Sequence, residues 1–262
     1  MTRYAALTDP GNQLTHNEDA VASDVQRGLW MVADGMGGHA AGEVASEIAT
    51  TTILERYSEN GSLLDAIRSA HQAIVSASST NPERQGMGST IVALAVSNEH
   101  ATIAWVGDSR AYLWRKAQLT QLSRDHSVLQ ELIDAGRVSE KSAREHPKRN
   151  MITQVLGHGN PQTAREQLAL DPGDWLLLCS DGLTDVLNDE QIARVLKDNR
   201  DPERGAQALI DAVRSQKPRD NVSVVLVEPL ARPSRLGVGF WKGWMMLALA
   251  AAFAGAWLWW RG

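Results

Sequence analysis

Three short apolar runs in this sequence each meet an aspartate at one end. LWMVAD ends at Asp34, and WLLLCSD ends at Asp181. The run NVSVVLV directly follows Asp220. Apolar runs of this length, rich in Val, Leu and Trp and bounded by turn residues, are typical of buried β-strands. If the three strands are neighbours, we expect their carboxylates to converge at one sheet edge.

These carboxylates predict a site for hard divalent cations. Oxygen ligands without a nearby cysteine cluster suit Mg²⁺ or Mn²⁺, which keep several coordinated waters. Gly35 directly follows Asp34, and a residue without a side chain would let its own carbonyl oxygen approach a second ion. The single cysteine, Cys179, excludes an internal disulfide and lies inside a predicted strand, so we expect it in the core.

The order of the predicted elements favours an α+β layered fold over a parallel βαβ sheet. Residues 41–60 and the stretch around 63–74 have helical periodicity. Strands then follow closely at 89–97, 101–109 and 111–116, and the loop SNEH between the first two has hairpin length. Strands in hairpin order, separated from others by pairs of helices, are expected to form antiparallel sheets covered by helices.

The second half of the chain continues this pattern. The segment 126–170 is polar and is predicted to be helical, with a basic loop near its middle. Two helices are predicted near 189–198 and 202–215. The last predicted strand follows Asp220.

Other sites built on glycine-rich loops do not match the spacing here. The glycines of DGMGGHAAG do not follow the G-x-G-x-x-G pattern of dinucleotide-binding loops, and no Walker A lysine comes after them. A cysteine-nucleophile phosphatase loop would need an arginine six residues after Cys179, where the chain has Asp185. The net charge of −5, without a Lys/Arg-rich stretch, argues against nucleic acid as a partner.

The composition changes abruptly near residue 230. Residues 230–242 contain Pro, Gly and Arg and are predicted to be a linker, and residues 243–260 carry no charge. At about 1.5 Å per residue a helix over 243–260 would span roughly 27 Å, close to the ~30 Å hydrocarbon layer of a bilayer. Tryptophans cluster at both of its ends, and more basic residues precede it than follow it. We expect a C-terminal membrane anchor; a buried C-terminal helix is the alternative.

The N-terminus shows no apolar segment of a signal peptide. With the basic residues before the predicted span, this places the N-terminal part in the cytoplasm. The expected location is the inner face of a bacterial cytoplasmic membrane, reached by a single pass of the chain.

Seven motifs in order resemble the metal-dependent serine/threonine protein phosphatases, the PPM or type 2C family, in their compact bacterial form. They cover roughly residues 4–228 and are HNEDA (16–20), VADGMGGHAAGEVAS (32–46), GSTIVAL (88–94), VGDSRAYLW (106–114), LSRDHS (122–127), LLLCSDGLTD (176–185) and DNVSVVLV (220–227). The resemblance implies a phosphatase domain over residues 1–229, built as a four-layer α/β/β/α sandwich of two antiparallel sheets flanked by helices. The segment 126–170 would be the family's flap beside the site.

The resemblance also implies roles for individual residues. Asp34 would bridge two Mn²⁺ or Mg²⁺ ions, and Gly35 would offer its carbonyl to one of them. Asp181 and Asp220 would complete the other site. A further pair, Glu18 and Asp19, would bind metal directly or through water. Asp125 with Asp181 resembles a pair that holds a third, weaker ion.

Such a centre hydrolyses phosphoserine and phosphothreonine in proteins with a metal-activated water, so no protein nucleophile is required. His39 is predicted either to protonate the leaving alkoxide or to order the loop and touch substrate. Asp108 in GDSR is predicted to hold a turn rather than a metal. Leu14 occupies the position of the family's phosphate-binding arginine and cannot make a bidentate phosphate contact.

The cations that could replace the missing arginine are His16, Arg110, Lys148 and Arg149. Leu14 also motivates an alternative function, a pseudo-phosphatase scaffold that binds phosphoproteins. A third hypothesis is a phosphatase acting on a small molecule, since fold alone does not decide the substrate. The partners expected for the active enzyme are phosphoproteins made by a Hanks-type serine/threonine kinase, with a monomeric catalytic domain.

Overall fold

The computed structural model describes residues 2–11, 16–37, 41–58, 61–139, 142 and 146–229. The strands are numbered in chain order. They are β1 (Arg3–Asp9), β2 (Asp19–Asp24), β3 (Leu29–Met36), β4 (Gly88–Ser89), β5 (Ile91–Ser97), β6 (His100–Val106), β7 (Arg110–Arg115), β8 (Gln118–Gln121), β9 (Ala164–Ala169), β10 (Trp175–Cys179) and β11 (Val222–Glu228). The helices are α1 (Ala41–Arg56), α2 (Leu63–Thr80), α3 (Val128–Asp134), α4 (Asp181–Thr184), α5 (Asp189–Asp198) and α6 (Pro202–Ser215), with a 3₁₀ turn at Pro82–Arg84.

The strands form two sheets. The first has the order β1-β11-β10-β7-β8, and the second has the order β2-β3-β5-β6-β9, with β4 paired to β3. The strand pairs of both sheets are antiparallel. The predicted hairpin is present between β5 and β6, and Asn98 in its turn has a φ of 54°, a left-handed conformation that asparagine tolerates.

The side chains of the central strands are buried on both faces of their sheets. On β3, Leu29 and Met31 pack with helices α1 and α2, whereas Trp30 and Val32 pack between the two sheets. On β10, Leu177 packs toward helices α5 and α6, whereas Leu178 points into the inter-sheet core. Alternation of side chains along a strand sends neighbouring residues to opposite faces, so continuous apolar runs here serve two cores at once.

Three apolar cores therefore separate four layers, with helices outside and the two sheets inside. The predicted pair of antiparallel sheets flanked by helices is confirmed. Helices 189–198 and 202–215 also lie where they were predicted. A capping box between Asn188 and Gln191 starts α5, and the Asp201 side chain accepts from two backbone N–H groups at the start of α6.

The prediction that 126–170 is helical is wrong at its end. Ala164–Ala169 is strand β9, which pairs with β6 at the edge of the second sheet. Its side chains are mostly exposed, so the sequence AREQLA lacks the apolar alternation that identifies a half-buried strand. Pairing with β6, rather than local preference, makes this segment a strand.

The linker 230–242 and the predicted span 243–260 lie outside the described residues. Among the residues that the structure describes, no helix is both long enough and apolar enough to cross a bilayer.

Candidate metal centre

Carboxylates from both sheets meet at one end of the sandwich. Asp19 at the start of β2 is directly opposite Asp34 on β3 in the second sheet. In the first sheet, Asp181 follows β10, and Asp220 precedes β11. We call the group Asp19, Asp34, Asp108, Asp181 and Asp220 the acidic end. The expectation of one sheet edge is corrected, because β3 belongs to one sheet while β10 and β11 belong to the other.

Polar contacts join the two sheets at this point. Ser180 donates its hydroxyl hydrogen to Asp19 Oδ2 at 2.7 Å and accepts from the backbone N–H of Ser223 at 3.0 Å. The backbone N–H of Glu18 donates to Asn221 Oδ1 at 2.7 Å. Glu18 and Asp19 lie at the start of β2 in one sheet. Ser180, Asn221 and Ser223 lie at β10 and β11 of the other sheet. These bonds therefore bring the carboxylates of both sheets together.

The backbone around Asp34 is held from both sides. Its N–H donates to the Thr90 hydroxyl at 3.0 Å, and its carbonyl accepts from the Thr90 N–H at 2.8 Å. Gly35 continues this tight packing, because a Cβ at that position would lie 2.0 Å from the carbonyl oxygen of Gly42. Only glycine fits there. The position and orientation of Asp34 are thus fixed by the backbone before any ligand binds.

The acidic end raises the pKa values of its own carboxyl groups. Burial is the largest cause at Asp34 and Asp181, and repulsion from neighbouring carboxylates adds to it, so both pKa values lie well above the usual range. Burial likewise raises the pKa of Asp19 to about 6, although hydrogen bonds from Ser223 and Ser180 oppose the shift. Burial and the charge of Asp220 raise the pKa of Glu18. The strongest charges acting on Asp34 and Asp181 are those of other carboxylates.

Within the part of the chain that the structure describes, two buried carboxylate oxygens of the acidic end have no hydrogen-bond partner. They are Oδ1 of Asp181 and Oδ1 of Asp108. Buried polar atoms in native proteins are nearly always paired, so an unpaired carboxylate oxygen indicates a missing cation. As they stand, the described residues contain no group of three or more His, Cys, Asp or Glu side chains that could hold a metal ion by themselves. Mg²⁺ sites in proteins usually combine one or two carboxylates with several coordinated waters.

Asp108 lies among these carboxylates, and its predicted role in holding a turn stays a prediction. It was predicted to hold a turn, and the structure buries it between β6 and β7, where burial and the charge of Asp125 raise its pKa to about 7. It is also a source of repulsion at Asp34 and Asp181. The signal in the sequence was its position, since Asp108 separates two apolar strands as Asp34 ends another.

Asp125 and Arg110 contact each other. Arg110 donates to both carboxylate oxygens of Asp125, with the shortest distance 2.6 Å, and also to the Tyr112 hydroxyl at 3.3 Å. Gln121 donates to Asp125 Oδ1 at 3.3 Å. A third-ion role for Asp125 and a phosphate-binding role for Arg110 stay predictions, and each would require this pair to open.

The remaining predicted residues are exposed, undescribed or, in one case, fully buried. His16, Lys148 and Arg149 are exposed, and His16 lies near enough to Glu18 to lower its pKa. His39 and Leu14 lie outside the described residues. Cys179 is fully buried, and burial raises the pKa of its thiol to about 12, so it is a core residue and not a nucleophile.

Comparison with known proteins gives one consistent family. The sequence model of the family described as Protein phosphatase 2C matches residues 4–222. The serine/threonine phosphatase stp of Listeria monocytogenes is 36% identical over 235 residues, which cover 84% of this chain and 93% of that protein.

A second relative is the serine/threonine protein phosphatase PstP of Mycobacterium tuberculosis. It is 39% identical over 235 residues, which cover 86% of this chain but 45% of PstP, so the chain spans about half the length of that relative. The crystal structure of the PstP catalytic domain in complex with two manganese ions is similar with a TM-score of 0.78 and 33% identity, covering 87% of this chain and 97% of that one.

Proposed function

Because this chain belongs to the protein phosphatase 2C family and is a metal-dependent serine/threonine protein phosphatase of that type, we propose that its acidic end is the catalytic centre, where phosphoserine and phosphothreonine residues of proteins are hydrolysed. The observation that carries this proposal is the crowding of carboxylates from both sheets at one end of the sandwich. Asp34 and Asp181 come from different sheets and repel each other, and the strongest charges acting on both are other carboxylates.

The residues of the acidic end fit two Mn²⁺ or Mg²⁺ ions. Asp34, Asp181 and Asp220, with Glu18 and Asp19 binding directly or through water, would hold the two ions, and the Gly35 carbonyl would contribute to one of them. When bound, such ions supply an activated water nucleophile and offset the charge that develops on the phosphoryl oxygens. The unpaired oxygen of Asp108 makes it a further carboxylate available to this centre.

The chain's own contribution is to hold these oxygens in place and to handle the leaving group. Thr90 and Gly35 fix the backbone of Asp34, and Ser180 fixes the carboxylate of Asp19. His39 is proposed to give a proton to the serine or threonine oxygen that leaves, since a histidine with an ordinary pKa near ~6.5 can act as a general acid.

The first test measures turnover of a phosphothreonine peptide and of p-nitrophenyl phosphate by the full chain in Mn²⁺, in Mg²⁺ and in EDTA. We expect turnover with either metal, none in EDTA, and loss of both activity and calorimetric Mn²⁺ binding in Asp34→Asn. Leu14→Arg should lower KM if the missing arginine weakens only substrate binding. Phosphopeptide binding without turnover in either metal would instead favour the scaffold.

We further propose that residues 243–260 anchor the enzyme in the bacterial cytoplasmic membrane, with the catalytic domain in the cytoplasm. The uncharged, Trp-flanked sequence and the preceding basic residues support this. Tethering would raise the local concentration of membrane-bound substrates of a Hanks-type kinase. A fluorescent fusion should be membrane-bound with residues 236–262 and cytosolic without them; a cytosolic full-length fusion would refute the anchor.

A further inference from the structure

The side chain of Asn221 is buried beside the acidic end. Asn221 directly follows Asp220 and directly precedes β11, and it is 5% exposed. A buried amide needs partners for its oxygen and for the hydrogens of its nitrogen, because leaving them unpaired costs free energy. The partners of this amide therefore show which part of the molecule it holds.

Three hydrogen bonds join this side chain to the segment between β1 and β2. Oδ1 accepts from the Glu18 N–H at 2.7 Å, and Nδ2 donates to the carbonyl oxygens of Pro10 and His16, each at 3.1 Å. All three partners are backbone groups of residues 10–18, far from Asn221 in the sequence. One amide thus fixes the path of the chain into β2, a strand of the other sheet.

The backbone of Asn221 contacts the neighbouring carboxylate segments. Its N–H donates to Oδ1 of Asp220 at 2.8 Å. A Cβ on Gly182, the residue after Asp181, would collide with the Asn221 carbonyl oxygen, so these two backbones pack directly against each other. This one residue therefore contacts Asp220, Glu18 and the residue that follows Asp181.

Glu18 is held from its other side as well. Its carbonyl oxygen accepts from the Gly35 N–H at 3.0 Å, and its carboxylate lies against the start of α1, where a Cβ on Gly42 would collide with Oε2. Asp220 repels this carboxylate and raises its pKa. Without the bond from the Glu18 N–H to Asn221, that repulsion would favour a larger separation of the two carboxylates.

We propose that Asn221 is a positioning residue of the metal centre, whose amide holds Glu18 beside Asp220 so that the ligands from both sheets stay together. This inference rests on the proposed function, which places Mn²⁺ or Mg²⁺ at the acidic end. The amide acts through Glu18, so it sets the affinity for the ions rather than the chemistry of turnover. Residues that orient the ligands of a metal typically change its affinity by about ten- to a hundredfold.

The test measures Mn²⁺ binding to the full chain by calorimetry. Asn221→Ala should weaken Mn²⁺ binding about tenfold, and the Mn²⁺ concentration for half-maximal turnover of p-nitrophenyl phosphate should rise by the same factor. At saturating Mn²⁺, kcat should change less than about threefold, because the ligands themselves are intact. Asn188→Ala is the matched control, since it removes the capping box of α5 and also lowers stability, and it should keep the wild-type affinity for Mn²⁺.

A double-mutant cycle with Glu18→Gln separates positioning from general destabilisation. If Asn221 acts through Glu18, Asn221→Ala should weaken Mn²⁺ binding in the wild type but cause no further loss in Glu18→Gln. A merely structural role would give losses that add. Asn221→Ser, whose hydroxyl ends one bond short of the amide oxygen, should give the same loss as the alanine variant and replaces it if that variant does not fold.

The inference is overturned if Asn221→Ala binds Mn²⁺ as tightly as the wild type, if Asn188→Ala loses as much affinity, or if the losses in the cycle add. It is also overturned if neither Asn221 variant melts cooperatively in EDTA, because the residue would then be required by the fold itself. Failure of the wild type to bind Mn²⁺ would refute the proposed function, whereas wild-type binding with an unaffected Asn221→Ala refutes this inference alone.

Discussion

Buried carboxylates occur in two regions of this molecule, and the regions treat them differently. Along β7 in the first sheet, Asp125 pairs with Arg110 and Asp174 pairs with Arg115, each with a guanidinium nitrogen 2.6 Å from a carboxylate oxygen. At the acidic end, Asp34 and Asp181 are half-buried, and the strongest charges around them are other carboxylates. We call the first region the paired belt.

The carboxylates of the paired belt stabilise the fold, whereas those of the acidic end are available to bind an ion. A buried acid with a bidentate arginine has its charge compensated by the chain itself. A buried acid among like charges either takes a proton or binds a cation from solution. The charges of the paired belt are therefore compensated within the chain, whereas the repulsion at the acidic end is relieved only by a proton or by a cation from solution.

The largest expected effect is a loss of activity that is not accompanied by a loss of stability. Asp181→Asn should reduce metal-dependent turnover about a thousandfold, equivalent to roughly 4 kcal/mol of lost transition-state stabilisation. The same variant should raise the melting temperature in EDTA, because a repelling charge has been removed. Asp125→Asn should lower that melting temperature instead. If the two variants change stability in the same direction, the two regions do not differ as described.

The next prediction concerns the ion pair between Arg110 and Asp125 in the paired belt. Arg110→Ala leaves Asp125 buried without its cation and should lower the free energy of unfolding by about 3–5 kcal/mol, measured by urea denaturation. Replacing both partners, as Arg110→Met with Asp125→Leu, should recover much of this loss. Arg68→Ala is the control, because its pair with Asp65 is exposed and is worth less than about 1 kcal/mol. An equal loss in the control would contradict the prediction.

In EDTA, the free energy of unfolding should depend on pH through a carboxyl group of the acidic end. The pKa of Asp108 is raised to about 7 in the folded protein by burial and then by Asp125, so the folded state binds this proton more tightly than the unfolded state. Stability present at low pH is then lost as pH rises from about 4 through about 7, by on the order of 4 kcal/mol.

Histidines with lowered pKa values, His71 and His126, act in the opposite direction below about pH 6.5. The measurement is therefore the difference in unfolding free energy between wild type and Asp108→Asn at each pH. This difference should change steadily across that range. A constant difference would show that Asp108 is already charged at low pH.

The smallest effect is the stabilisation by the ion itself. At a hundredfold excess of Mn²⁺ over its dissociation constant, binding should add about 2.7 kcal/mol to the free energy of unfolding. The gain should be present in wild type and in Arg68→Ala, and absent in Asp181→Asn. Stabilisation of all three by the same amount would indicate binding outside the acidic end.

Much of the fold could be predicted from the sequence because its elements carry strong local patterns. The runs LWMVAD and WLLLCSD are apolar throughout, and helices α5 and α6 begin at capping residues. Strand β9 could not be predicted, because its exposed residues gain strand geometry only by pairing with β6. The anchor, His39 and Leu14 stay predictions, since they lie outside the described residues.

The sequence by itself determined which residues are candidates for the chemistry. Aspartates at the ends of apolar runs, a glycine after Asp34 and one buried cysteine already indicated divalent ions and excluded a thiol nucleophile. Those conclusions depend on residue type and on neighbours along the chain.

Only the tertiary structure decided which aspartates remain without a cation. Asp125 and Asp108 both sit beside strand β7, yet one is paired with Arg110 and the other keeps an unpaired oxygen. The sequence does not contain that distinction, because charge compensation depends on distances between residues far apart in the chain. It is set when two sheets close on each other and bring Asp34 and Asp181 to the same end of the sandwich.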